Sequence, residues 1–251
     1  MTRPNVIDLN ADIGELCGYD DVIITHISSA NIACGGHIGS LASMASAVDL
    51  AILHKVRIGA HPSYPDKQHF GRVSFPIDES TLKQSLRSQI MSLETICQNK
   101  KCQLFHVKPH GALYNEAAKD EALAQLIVDV IKEINPTLWL MGLAGSALTD
   151  VGKRNGLKVI EEAFADRRYL SRLELAPRTL AGAVIHSGPE VIKQVLDIVL
   201  AQHITGINGD IIPLSADSIC LHGDNPEAVA LAHDIQQALT THHITITSPT
   251  E

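Results

Sequence analysis

Short apolar runs alternate with longer amphipathic stretches from one end of this chain to the other. The runs are Val6–Leu9, Ala30–Cys34, Arg57–Ala60, Leu104–Val107, Leu138–Leu143, Lys158–Ala163 and Ser218–Leu221. Each has the length of a strand, and the segments between them carry apolar residues at helical spacing. Helices are predicted over Asp20–Ser28, from a cap at Ser40 to Lys55, and over Asp78–Asn99, Glu116–Ile134, Gly145–Asn155, Pro189–Gln202 and Pro226–Thr240. Ile244–Thr247 offers an eighth short strand. Such alternation gives a parallel sheet. With seven or eight strands in 251 residues, closure into one barrel domain over residues 1–251 is favoured over an open sheet.

A barrel gathers its active site at the carboxyl ends of its strands. Polar residues stand at nearly every predicted exit: Asp12 after the first strand, His37 after the second, His61 after the third, Lys108 and His110 after the fourth. Asp166 and Arg168 follow the sixth, and His222 and Asp224 the seventh. The fifth ends in Gly142-Leu-Ala-Gly145 and is the exception. Phe105–Asn115, read FHVKPHGALYN, is the densest exit. Pro109 removes a backbone donor and holds Lys108 extended, so the ladder stops and side chains leave the sheet end. Lys108 reads as an electrostatic clamp and His110 as an acid/base group, whereas His106, inside the strand, reads more readily as packing. Asp8, Asn10 and Asp12 share one strand face, with Asp12 nearest the exit. Two long loops follow the third and sixth strands, Ser63–Pro76 and Tyr169–Thr179. Arg167, Arg168, Arg172 and Arg178 read either as a solvated basic surface or as bidentate donors for a carboxylate or phosphate.

Charge and composition remove several classes. A net charge of −8 argues against nucleic acid or an anionic membrane as partner. Five cysteines without a CxxC pair predict reduced thiols and a cytoplasmic setting. No secretory leader is expected from MTRPNVIDLNAD, and no apolar run reaches the ~18 residues of a membrane span. Phosphate-loop, dinucleotide, nucleophile-elbow and zinc-helix motifs are all missing. Thirteen histidines invite a search for metal or acid/base sites.

LNADIGE (Leu9–Glu15), SANIACGGHIG (Ser29–Gly39), IGAHPSYPD (Ile58–Asp66) with FGR (Phe70–Arg72), HVKPHGALYN (His106–Asn115), FADR (Phe164–Arg167), Pro177-Arg178 and CLHGD (Cys220–Asp224) stand in this order. Together they resemble the LamB/YcsF family, whose members include the A component of bacterial ATP-dependent 5-oxoprolinase. The resemblance implies a distorted TIM-like (β/α)7 barrel of the glycoside hydrolase/deacetylase type. It also implies ATP-driven opening of the 5-oxo-L-proline lactam to L-glutamate, with 5-oxoprolinase subunits B and C as partners. Under that reading Asp12, His61, Lys108, His110 and Asp166 are the expected catalytic groups. Arg72, Arg167, Arg178, His222 and Asp224 are expected to bind substrate or phosphate. Asp12, His37 and His61 form the expected set for a divalent metal, Mg or Zn. Two other readings stand beside it: an ATP-independent, metal-dependent amidohydrolase or deacetylase, and a non-catalytic substrate-binding subunit. Two positions depart from the family pattern, Ser40 in place of an aspartate and Arg172-Leu173 in place of Asp-Gly. The first keeps a helix cap; the second changes loop charge and geometry.

Overall fold

A computed structural model describes residues 6–221 and 226–250. Seven parallel strands form a closed ring: β1 (Val6–Ile13), β2 (Ser29–Ala33), β3 (Arg57–His61), β4 (Leu104–Val107), β5 (Trp139–Leu143), β6 (Val159–Phe164) and β7 (Ser218–Leu221). Each pairs with the next, and β7 returns to β1 with Asp8 opposite Ser218 and Asn10 opposite Cys220. Thr245–Ile246 pairs beside Val6–Ile7, outside the ring. The helices are α1 (Leu41–His54), α2 (Glu79–Asn99), α3 (Gly111–Ala117), α4 (Glu121–Ile134), α5 (Ala147–Arg154), α6 (Gly188–Leu196) and α7 (Pro226–Thr241). Ser40 caps α1 through a reciprocal bond pair with Ser43, as the sequence predicts. Among the described residues, no helix is long and apolar enough to cross a membrane.

Alternation along β1 explains how the barrel is filled. Ile7, Leu9, Ala11 and Ile13 are buried in the apolar core. The intervening Asp8, Asn10 and Asp12 share the opposite face, where they meet Ser29, Asn31 and Ser218 of the neighbouring strands. The barrel interior is therefore polar rather than filled by branched aliphatic layers. Packing of Leu82, Leu86, Ile90, Leu93 and Cys97 on one face of α2 follows the helical period.

Local structure departs from the predicted elements in several places, among them an unpredicted antiparallel pair of His203–Thr205 with Ile211–Pro213. The segment Glu116–Ile134 is two helices, because the Asp120 carboxylate accepts from the N–H groups of Ala122 and Leu123 and starts α4 afresh. The helix predicted over Asp20–Ser28 covers only Asp20–Ile23 with a 3₁₀ turn at Ile24–His26. Its end is captured by the sheet, where Ser28 N–H donates to Leu9 O. The loop after β6 holds a small hairpin, Tyr169–Ser171 against Glu174–Leu175.

Gly59 fixes one interior contact. A Cβ at Gly59 would lie 2.0 Å from Nε2 of His106, whose ring is fully buried across the strand pair. Gly59→Ala is expected to lower stability by about 1–3 kcal/mol through overpacking, read as a shift in the urea midpoint. Unchanged stability would mean that His106 leaves this position freely.

Candidate active site

The site stands on the polar ladder inside the barrel. Asp8 is buried and accepts from the hydroxyls of Ser28, Ser29 and Ser218 at 2.6, 2.7 and 2.5 Å. Burial outweighs these bonds and pushes its carboxyl up to about 6. One level higher, Asn10 Nδ2 donates to Glu162 at 3.2 Å and to Ser218 at 2.8 Å. Asn31 Nδ2 donates to Asn10 Oδ1 at 2.8 Å and to Asp12 Oδ1 at 3.0 Å. His106 Nε2 donates to Asn31 Oδ1 at 2.8 Å, and burial, then the Lys108 charge, pulls the imidazole down to about 3. His106 is thus a neutral member of the ladder.

Lys108 leaves the end of β4 and turns into the barrel. Its backbone N–H donates to Ala60 O, which holds the residue in line with β3. Its ammonium lies 3.0 Å from Glu162 Oε2, 3.1 Å from Asn10 Oδ1, 3.4 Å from Asp12 Oδ1 and 3.2 Å from Cys220 Sγ. Burial alone would lower this lysine's pKa, but the Asp12 and Glu162 carboxylates raise it well above the ordinary value. The geometry makes Lys108 a counter-charge between two carboxylates, which differs from the free clamp read from sequence. Cys220 stays a thiol, because burial outweighs the neighbouring ammonium.

Three histidines close the mouth above Lys108. His61, the last residue of β3, sets Nδ1 2.8 Å from Lys108 O and Nε2 3.3 Å from Asp12 Oδ2. His110 precedes α3, its N–H donating to Pro62 O. Its Nε2 lies 2.9 Å from Phe70 O, and its Nδ1 lies 2.9 Å from His61 Nε2 and 3.5 Å from Glu15 Oε1. Burial, then His61 and His37, pulls His110 down to about 2. Phe70 O reaches it because the loop after β3 folds back: Gly71 O accepts from Ala112 N–H, and a Cβ on Gly111 would lie 2.4 Å from that oxygen. His37 stacks on His110 with ring centres 3.7 Å apart and bonds Glu15 Oε1 at 3.0 Å. Burial lowers its pKa too.

Asp12, Glu15, His61 and His110 each present one donor atom within 4.8 Å of the others. These four could hold a metal ion; they share Asp12 and His61 with the set expected from sequence, whereas His37 bonds Glu15 from outside the group.

A cavity of about 590 Å³ opens from this cluster, lined also by Arg72, Tyr114, Arg167, Leu173 and Arg178. Arg167 is buried, donates through Nη2 to Ala176 O at 2.6 Å, and keeps Nε without a hydrogen-bond partner. Burial, then Arg178, pulls the guanidinium down to about 10. Arg72 lies 4.8 Å over the Phe70 ring. Arg168 instead turns to Glu190 and Gln194. Asp166 does not line the cavity; its carbonyl accepts from Ile185 N–H. His222 and Asp224 lie outside the described residues.

Glu15, Glu162 and Tyr114 are site residues that sequence reasoning misses. Glu15 sits three residues past Asp12 in the same polar exit, so spacing alone offers a signal. Glu162 follows Glu161 in β6 but is fully buried, and a buried glutamate needs a partner. Tyr114 carries no such signal; its hydroxyl is buried beside Glu162, and burial, then the Glu162 charge, raises its pKa well above the ordinary value.

Comparisons with known proteins agree with this architecture. The LamB/YcsF family description matches residues 7–251. A protein of Neisseria meningitidis serogroup C, named as the A component of 5-oxoprolinase, is 45% identical over 233 residues, covering 93% of this chain and 95% of its own. A lactam utilization protein from Thermus thermophilus has a crystal structure that superposes with a TM-score of 0.91 at 35% identity, covering 97% of this chain and 100% of the other. A family 4 carbohydrate esterase from Streptomyces lividans, at 10% identity and a TM-score of 0.51 over 98% of this chain and 93% of its own, extends the likeness of fold alone to deacetylase-type barrels. Because the match runs through every strand of the ring, the chain belongs to the LamB/YcsF family.

Proposed function

We propose that this chain is the A component of a cytoplasmic, ATP-dependent 5-oxoprolinase that opens the lactam of 5-oxo-L-proline to L-glutamate together with subunits B and C. The observation that carries the reading is the juxtaposition of Asp12, His61 and His110 with an arginine-lined cavity at the carboxyl end of the barrel, in a chain whose relatives bear that component's name. The cavity volume, about 590 Å³, exceeds what a five-membered lactam fills and leaves space for a phosphoryl group.

The chemistry needs an activated carbonyl. Transfer of the γ-phosphoryl of ATP to the lactam oxygen releases ADP and leaves carbon 5 open to water. Asp12 suits the base that takes the water proton. Breaking the ring C–N bond then needs a proton on the leaving nitrogen, which the proton that Asp12 has taken from the water supplies. The product of that step is an acyl phosphate, which a second water cleaves to glutamate and phosphate. Arg167 and Arg178 suit the substrate carboxylate, and Arg72 the phosphoryl oxygens. Lys108 holds and aims Asp12, rather than facing the phosphate itself.

The test is an assay for glutamate and ADP with subunits B and C added. Stoichiometric formation of both, dependent on this chain, is the expected result. Glutamate formed without ATP would replace the reading by an ATP-independent hydrolase. Binding of 5-oxoproline without any turnover in the complete assembly would reduce the chain to a binding subunit.

A further inference from the structure

The hydrogen bonds around His61 and His110 leave an unbalanced pair of nitrogens. A main-chain carbonyl can only accept. Lys108 O therefore requires a proton on His61 Nδ1, and Phe70 O requires one on His110 Nε2. With both rings neutral, His61 Nε2 and His110 Nδ1 direct lone pairs at each other across 2.9 Å. Neither ring can change tautomer without losing its carbonyl. Two carboxylate oxygens flank the gap, Asp12 Oδ2 at 3.3 Å from one nitrogen and Glu15 Oε1 at 3.5 Å from the other. Four electron-pair donor atoms thus lie within 4.8 Å of one another.

We propose that Asp12, Glu15, His61 and His110 bind one first-row divalent metal ion, with His61 Nε2 and His110 Nδ1 as its nitrogen ligands. Ligands adjacent around an ion at about 2.1 Å stand roughly 3.0 Å apart at right angles and about 3.4 Å apart in a tetrahedron. The three separations, 2.9, 3.3 and 3.5 Å, lie within about 0.1 Å of that range. Mixed imidazole and carboxylate donors suit Mn, Fe, Co or Zn rather than Mg. Carbonyls that fix each ring's tautomer from behind are the usual outer support of metal-bound histidine. His37 supports Glu15 in the same way, through the 3.0 Å bond to Oε1. Such a site stands whether or not the substrate is a lactam, so its test is binding rather than turnover.

Full-length protein stripped with chelator is titrated with Co²⁺ and followed by visible absorption, with metal content measured on the protein as purified. One Co²⁺ per chain with d–d bands of nitrogen–oxygen ligation is expected. His61→Asn and His110→Asn should each weaken binding by more than about 100-fold, whereas His37→Gln, an outer partner, should cost roughly 10–100-fold. His203→Asn, whose ring faces Asp197 away from the site, should leave binding unchanged. Glu15→Gln, on the loop after β1, replaces either ligand variant that fails to fold by circular dichroism. No stoichiometric Co²⁺ binding, or binding indifferent to the ligand substitutions, would overturn the site and leave a shared proton between the two rings.

Discussion

Lys108→Met is expected to destabilise the protein by about 3–5 kcal/mol and to abolish turnover of the assembled enzyme. The magnitude is that of breaking a buried ion pair by removing one partner. Glu162 is completely buried, and its charge is met by Lys108 and by one Asn10 N–H. Methionine fills the volume of the lysine stem but leaves Glu162 and Asp12 facing each other without a cation. Neutralising the survivor should therefore restore stability: Lys108→Met with Glu162→Gln is expected to recover at least half of the loss, a coupling read from a double-mutant cycle in urea. Turnover should stay lost in the double variant, because Asp12 is no longer held. The sign of the pH dependence follows from the raised pKa of Lys108. A lysine raised above its unfolded value contributes fully below about 10.4 and loses the contribution only as pH rises through the folded value. Lys108's own contribution should accordingly be flat from pH 6 to 9, while the penalty of the single variant should ease as pH falls and the uncompensated Glu162 takes up a proton. A penalty near zero, or one that the second substitution does not relieve, would show that the ammonium is not the cation that balances Glu162.

The closed barrel was legible because its cause is periodic. Apolar runs of strand length, separated by helical spacing, dictate parallel neighbours wherever they fall. The exits were legible for the same reason: Asp12, His61, Lys108 and His110 stand where a strand pattern stops, and all four meet. Other features depend on contacts far apart in sequence. Glu162 and Asn10 are 152 positions apart, and nothing local to either names the other. His37 looked equivalent to His61 by position, yet the loop after β2 turns its ring onto the face of His110 and its Nε2 to Glu15. The polar filling of the ring was half visible in the Asp8, Asn10, Asp12 alternation. Without the register that sets Asn10 beside Ser29 and Cys220, however, the same alternation fits a solvent-facing strand. Arg168 illustrates the limit for loops: it neighbours Arg167 in sequence but bonds α6, while Arg167 points to the cavity.

Arg167→Lys is expected to raise the KM for 5-oxoproline by roughly 10- to 150-fold with a smaller change in kcat, the loss of about 1.5–3 kcal/mol that a charged hydrogen bond carries. Arg167 is buried beside the cavity, and the nearby Asp166 charge only partly offsets the effect of burial on its guanidinium. Its Nε is unsatisfied, and burial holds the guanidinium below its ordinary pKa. Both conditions are relieved by a carboxylate arriving from the cavity, which would take the planar fork that lysine cannot offer. A purely structural role makes the opposite forecast. If Arg167 served only to tie Ala176 to the barrel, the variant should lose melting temperature and leave KM unchanged. The substrate role instead predicts a melting temperature within a few degrees of the parent without ligand, and a smaller rise on adding 5-oxoproline. Steady-state kinetics of the assembled enzyme and thermal melts of the isolated chain separate the two. A variant with parental KM and a lowered melting point would remove Arg167 from substrate binding and leave Arg178 and Arg72 as the other cavity arginines to test.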